Sequence, residues 1–185
     1  MSDTRTAILA AAKEAAQAHG YGGLNFRDIA ARVGIRSASL HYHFPTKPDL
    51  AVAVARRYWE DAAAELEAET ARTPDPLDRL RWYPGLFRRA LVNGNRMCLC
   101  SFMAAEHDDI PEPVRAEALK FAEVNLDWLS RTLRAAGIAD EDRAGAIYAA
   151  VSGAQLLARG RADVALFDRL IESCRRSGLL PGASP

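Results

Sequence analysis

Apolar positions recur at intervals of three and four along most of the chain, a spacing that predicts helices. Ile8, Leu9, Ala12, Ala15 and Ala16 share one stripe of a helix over residues 4–19, which Gly20 ends. Ile29, Ala30 and Val33 mark a short helix from about Phe26 to Gly34, and Leu40 and Phe44, four apart, mark the inner side of another over 37–43. Leu50, Val54, Tyr58 and Leu66 carry a long helix over 47–70, with Pro48 in its first turn. Beyond the break at Thr73-Pro74-Asp75-Pro76, helices are predicted over 76–92, 98–107, 112–136, 140–159 and 163–176, the first kinked or split by Pro84-Gly85. In the 112–136 helix, Val114, Leu119, Phe121, Leu126, Leu129 and Leu133 are expected to face inward. The fold class is all-α, with about nine helices.

The two short helices organise the functional reading. Asn25 is placed to accept from the free N–H groups that open the first, with Asp28 three residues on. Gly34 supplies the positive φ of a helix end, Ile35 plugs the turn, and Arg36 and Ser37 begin the second helix. Ser37, Ala38, Ser39, His41 and Tyr42 are left for its outer face. Two short helices joined by a short glycine-containing turn have the form of a helix-turn-helix, whose second helix enters the DNA major groove.

Gly34, Leu40, His41, Tyr42, His43, Phe44, Lys47 and Leu50 match a known pattern: a glycine, a short polar run, Leu, two aromatic or His positions, then His-Phe-x-x-Lys-x-x-Leu. The stretch resembles the DNA-binding domain of the TetR/AcrR family of bacterial transcription regulators, specifically over residues 4–58. Two positions depart from it: His41 stands where the family usually has Tyr, and Arg36 where it often has the capping Ser, which leaves Ser37 as a candidate cap and two helix registers open.

The resemblance implies a helix-turn-helix domain over residues 1–46, a helical ligand-binding and dimerisation domain over 47–178, and a flexible tail over 179–185. It places Arg27 at a base or phosphate, Arg36, Ser37, Ala38 and Ser39 at base edges, and Tyr42 and Lys47 at phosphate oxygens. His41 and His43 are assigned to the DNA backbone or to local packing, since residues two apart on a helix point about 200° from each other and do not share an ion. The last two helices are expected to form a four-helix homodimer interface. The 140–159 helix, with Ala144, Gly145, Ala146, Ala149, Ala150, Ser152, Gly153 and Ala154, can be approached closely, and Val164, Phe167, Leu170, Ile171 and Cys174 form a stripe on the last.

Charge sharpens this picture. The 185 residues carry no net charge, which by itself argues against a nucleic-acid partner. However, Met1 to Tyr58 holds eight basic residues against four acidic, leaving 16 basic and 20 acidic of the chain's 24 and 24 for the remainder. A basic N-terminal module on an acidic body suits a protein of which one part meets phosphates.

Candidate chemistry adds a small-molecule site. Trp59, Trp82, Tyr83, Phe87, Met97, Phe102, Met103, Phe121 and Trp128 gather large soft side chains in the middle of the chain, with His107, Asn125 and Gln155 as polar contacts. The expected effector is mostly apolar, and filling its site is expected to move the 47–70 helix and with it the DNA-reading helices. Cys98 and Cys100 raise an alternative, a thiol- or metal-responsive regulator of the same fold, although free cysteines usually behave as small buried hydrophobes.

A hydrolase-type enzyme is a remote alternative: no Gly-x-Ser-x-Gly, phosphate loop or His-Glu-x-x-His is present, and no catalytic residue, metal or cofactor is assigned. No signal segment is visible and no apolar run approaches the ~20 residues of a membrane span, so a cytoplasmic protein is expected. The reading is a ligand-responsive regulator, a repressor that binds a palindromic operator in double-stranded DNA as a homodimer and is released by a small apolar molecule.

Overall fold

The computed structural model describes residues 2–182. Among them are ten α-helices, one 3-10 turn and no strand: α1 (Ser2–His19), the turn Tyr21–Gly23, α2 (Phe26–Val33), α3 (Ser37–His43), α4 (Lys47–Arg72), α5 (Pro76–Trp82), α6 (Pro84–Val92), α7 (Leu99–Ala105), α8 (Glu112–Ala135), α9 (Arg143–Gly160) and α10 (Val164–Arg176). The extra helix comes from Pro84. The expected 76–92 helix divides at Tyr83, because proline brings no N–H to the ladder, while Tyr83 itself keeps helical angles of φ −49° and ψ −45°. Asp75 starts α5 by accepting from Leu77 N–H at 2.9 Å, with Pro76 in the first turn.

Packing groups the chain into two compact units, one of residues up to Asp61 with Cys98–Ala122, the other of Ala62–Met97 with residues from Glu123 onward. The first unit gathers Ile8, Ala12 and Ala16 of α1, Leu24, Ile29, Leu40, Phe44, Leu50 and Val54, and Leu99, Met103 and Val114, all buried. Residues 98–122 join this unit through bonds far apart in sequence. Glu106 accepts from Tyr21 N–H at 2.7 Å, and Glu117 accepts from Arg56 Nε at 3.0 Å and Trp59 Nε1 at 2.8 Å.

The second unit buries Leu66, Leu80, Tyr83, Phe87, Trp128, Leu133, Ile147, Val151, Phe167 and Ile171, with α9 packed on α6 and α10. Asp163 caps α10 by accepting from Leu166 N–H at 3.1 Å.

Three local expectations are corrected. Leu119 faces outward at 54% exposure: the buried stripe of α8 runs through Val114, Ala118, Phe121, Asn125, Trp128 and Thr132, and a residue next to Ala118 is turned about 100° away from it. The helix expected from residue 140 starts at Arg143, because Asp140 Oδ1 takes the N–H groups of Asp142 at 3.2 Å and Arg143 at 3.1 Å and closes a turn first. The expected tail is tethered as far as it is described. Leu180 is buried, Arg143 donates to the Gly178 and Leu179 carbonyls, and Arg81 Nε donates to the Gly182 carbonyl at 2.5 Å. Residues 183–185 of that tail lie outside the described residues.

Candidate nucleic-acid interface

The interface is built by two helix ends. Asn25, in extended backbone, accepts from Arg27 N–H at 2.9 Å and Asp28 N–H at 3.3 Å, so α2 begins at Phe26 and Arg27 stands in its first turn. Gly34, at φ 75° and ψ 31°, ends α2 in the left-handed region, and Ile35 N–H returns to the Ala30 carbonyl at 3.0 Å. That return fixes the entry into α3. Arg36 is the cap residue, with extended backbone and no side-chain bond, and Ser37 is the first helical residue. Of the two registers open from sequence, α3 therefore takes the one in which Ser37 does not cap.

Leu40 and Phe44 are buried and hold α3 down, which leaves Arg36, Ser37, Ala38, Ser39, His41 and Tyr42 exposed, Tyr42 by 77%. Arg27 is exposed as well. The side chains of Arg27, Arg36, Ser37 and Ser39 make no hydrogen bond or ion pair among the described residues. His41 is less free. Its ring tilts on Phe26 at 4.7 Å, and Nδ1 lies 3.3 Å from the Pro45 carbonyl oxygen, to which the Nδ1–H tautomer donates. His43 is half-buried, edge-on to Tyr42 at 5.4 Å.

The next helix is closed by a reciprocal cap. Thr46 N–H and Oγ1 donate to Asp49 Oδ2 at 3.0 and 2.7 Å, and Asp49 N–H donates to Thr46 Oγ1 at 3.3 Å. With Asp49 so engaged, the Lys47 ammonium rests 4.3 Å above the centre of the Tyr21 ring. Sequence reasoning missed both the Thr46–Asp49 cap, legible in Thr-x-x-Asp, and Tyr21 as a partner of Lys47. Small and hydroxyl side chains on a helix let it seat against base edges, and flanking cations and a phenol suit phosphate oxygens.

Residues 8–54 match the model of bacterial regulatory proteins of the tetR family. The structure is similar to that of a TetR-family transcriptional regulator from Agrobacterium tumefaciens, at 29% identity, with a TM-score of 0.87 and 96% of each chain covered. It is also similar to a TetR transcriptional regulator from Legionella pneumophila, at 29% identity and a TM-score of 0.85, covering 92% of this chain and 95% of the other. The matched segment and the fold are those of TetR-family regulators.

That likeness supports a DNA-binding transcriptional regulator. A regulator from Saccharomonospora viridis, solved in complex with choline, shares the fold at 21% identity and a TM-score of 0.76, covering 95% of this chain and 97% of the other. No curated protein matches the chain. No helix among the described residues is long and apolar enough to cross a membrane.

The residues read from sequence as a ligand set fall in both units. Trp59, Phe102, Met103, His107 and Phe121 belong to the first, and Trp82, Phe87, Met97, Asn125, Trp128 and Gln155 to the second. In the first, Phe121 is buried against Tyr58 at 5.2 Å, Phe102 is half-buried, and His107 is exposed. In the second, Trp128 stacks on Tyr83 at 5.7 Å and 19°, and its Nε1 donates to the Leu66 carbonyl and Thr70 Oγ1. Tyr83, one of the large soft side chains read from sequence, donates its hydroxyl to Asn125 Oδ1 at 2.8 Å. Gln155 Nε2 donates to the Phe87 carbonyl at 2.7 Å. Asn125 and Gln155 are thus bonded within the fold. A groove of about 350 Å³ opens beside Trp128, lined by Leu66, Val124, Glu67, Glu123, Asp127 and Arg131 with Ala63.

Cys98 and Cys100 are both buried, Cys98 at the cap of α7 and Cys100 within it. Burial pushes both thiols up, Cys100 far above the usual range, and pushes up the Tyr58 hydroxyl beside Cys98. Burial thus favours the protonated thiols, the less reactive form of cysteine. Among the described residues no group of three or more His, Cys, Asp and Glu is arranged to hold a metal ion.

Proposed function

We propose that this protein is a TetR/AcrR-type repressor that binds a palindromic operator as a homodimer and is released by a small, mostly apolar molecule. In this reading residues 1–46 contact DNA, 47–178 bind the effector and pair the subunits, and the protein acts in the cytoplasm. One observation carries the DNA part: α3 is anchored by buried Leu40 and Phe44 while its opposite face offers Arg36, Ser37, Ala38, Ser39 and Tyr42 without internal partners for the first four. The test is selection of bound duplexes from a random pool. A palindrome with half-sites about one helical turn apart, roughly 34–36 Å, is the expected result. Recovery of a single, non-palindromic site would count against the dimeric repressor.

Dimerisation through α9 and α10 is supported by what α9 leaves uncovered. Leu156 and Leu157 are 55% and 57% exposed, and a Cβ built on Gly145 or Gly153 would meet nothing within 4 Å. Isolated apolar side chains on a surface are ordinary, but two adjacent leucines on a helix of small residues suit a close-packed partner helix. Replacing Gly153 by Arg is expected to give a monomer in sedimentation where the unaltered protein is a dimer at micromolar concentration.

For the effector, the aromatic groups around Trp128 and Tyr58 and the choline-bound relative support a small-molecule site. Release by a factor of about 100 needs about 2.7 kcal/mol of coupling between sites, and burying one large apolar group supplies roughly 1.5–3 kcal/mol. Compounds found by thermal shift are expected to weaken operator binding. Hits that stabilise the protein and leave operator affinity unchanged argue against the effector reading.

A further inference from the structure

The segment Gly20-Tyr21-Gly22-Gly23 between α1 and α2 is held by a residue 85 positions away. Glu106, which ends α7, places Oε2 2.7 Å from Tyr21 N, and that N–H donates to it. Gly20 makes room for the carboxylate: at φ 63° its backbone is left-handed, and a Cβ there would lie 2.3 Å from Glu106 Oε1. Gly23 fits the segment against α1, since a Cβ there would lie 2.5 Å from the Ala15 carbonyl oxygen. The backbone of Tyr21 is therefore set from both sides. Its ring in turn carries the Lys47 ammonium at 4.3 Å, and the acid nearest Lys47 in sequence, Asp49, is committed to Thr46.

We propose that Glu106 is a positioning residue for DNA binding: by holding the Tyr21 N–H it fixes the ring on which the Lys47 ammonium rests, and so aims that ammonium at the DNA backbone. The inference deepens the DNA reading above and rests on Lys47 as a phosphate contact. A cation over an aromatic face keeps its charge and two or three donors for an anion, whereas an ion pair with a carboxylate would neutralise it. The chemistry therefore suits a lysine kept ready for phosphate. Glu106 itself touches no DNA in this arrangement; it acts through Tyr21.

The experiment is a salt titration of the full-length protein on one duplex, selected by the unaltered protein from a random pool. Lys47→Ala is expected to weaken binding and to lower the slope of log affinity against log salt by about 0.9, the value for one lost phosphate contact. Glu106→Ala is expected to lower the slope in the same direction by a large part of that amount, with no further loss when combined with Lys47→Ala. Glu106→Gln, which keeps an oxygen to accept from Tyr21 N–H, is expected to restore it; a general loss of fold would not be mended in this way. Should Glu106→Ala fail to fold, Tyr21→Leu keeps the backbone bond and removes the ring, and it is expected to lower the slope while Tyr21→Phe leaves it unchanged. A normal slope for folded Glu106→Ala or for Tyr21→Leu, beside a reduced slope for Lys47→Ala, overturns the positioning role alone. A normal slope for Lys47→Ala overturns the phosphate reading of Lys47 and this proposal with it.

Discussion

The outer face of α3 and the interior around Trp128 treat their polar groups in opposite ways. On α3, Ser37, Ser39 and Arg36 point outward and bond to nothing among the described residues. Around Trp128, every polar group discussed has a partner: Tyr83 with Asn125, Trp128 Nε1 with Leu66 and Thr70, Gln155 with the Phe87 carbonyl. The difference follows from solvent. A buried donor left unpaired costs about 1–3 kcal/mol, which favours the pairing around Trp128, while a hydroxyl in water costs nothing to leave open and stays available to a partner. In the proposed reading, polar residues of the first kind choose the DNA sequence, and those of the second kind hold the fold.

Changes in the interior should accordingly produce the largest stability effects. Trp128→Ala removes a side chain that is 1% exposed and two hydrogen bonds, and a loss of about 3–5 kcal/mol is expected in urea unfolding. A loss below about 1 kcal/mol would mean that the cluster is loosely packed, and the contrast with α3 would weaken. Gln155→Leu keeps approximate volume and removes the bond to the Phe87 carbonyl. About 0.5–1.5 kcal/mol should be lost in urea unfolding, the net worth of one hydrogen bond.

On α3 the order reverses. Ser37→Ala and Ser39→Ala should change stability by less than about 0.5 kcal/mol, yet alter base preference by about 1–3 kcal/mol at the positions they read. Repeating the random-pool selection with each variant measures this, and an unchanged consensus would remove the residue from the reading set.

Arg56 sharpens the comparison because it is exposed, like Arg36, but bonded, like Gln155. Its guanidinium meets Glu117, which also accepts from Trp59 Nε1, and Arg56 chiefly holds the Glu117 carboxyl below its usual range. A carboxyl lowered in the folded state stabilises it above the ordinary carboxylate value, and the contribution fades as pH falls through the lowered value. Unfolding measured from pH 7 to pH 3 should therefore show a smaller acid-side decline for Glu117→Gln than for the unaltered protein. Because Arg56 is exposed, the effect should be the smallest of the four. An identical pH profile would place Arg56 with the uncommitted cations.

What could be read from the sequence is what neighbours along the chain decide. Asn25 as a cap, Gly20 and Gly34 as stops, and Leu40 with Phe44 as the inner side of α3 all depend on bonds and spacings within four residues. The helix-turn-helix is almost wholly of this kind, which is why its helices and the exposed side of α3 were legible before any packing was known. Tertiary structure decided the rest. Leu119 and Ala118 are equally plausible inward residues until a partner surface chooses the stripe, and Asn125 and Gln155 look like ligand contacts until Tyr83 and the Phe87 carbonyl, 42 and 68 positions away, are seen to engage them. Glu106 carries no local signal at all. Its role exists only where folding brings its carboxylate over Gly20, a glycine that sequence explains merely as a helix stop.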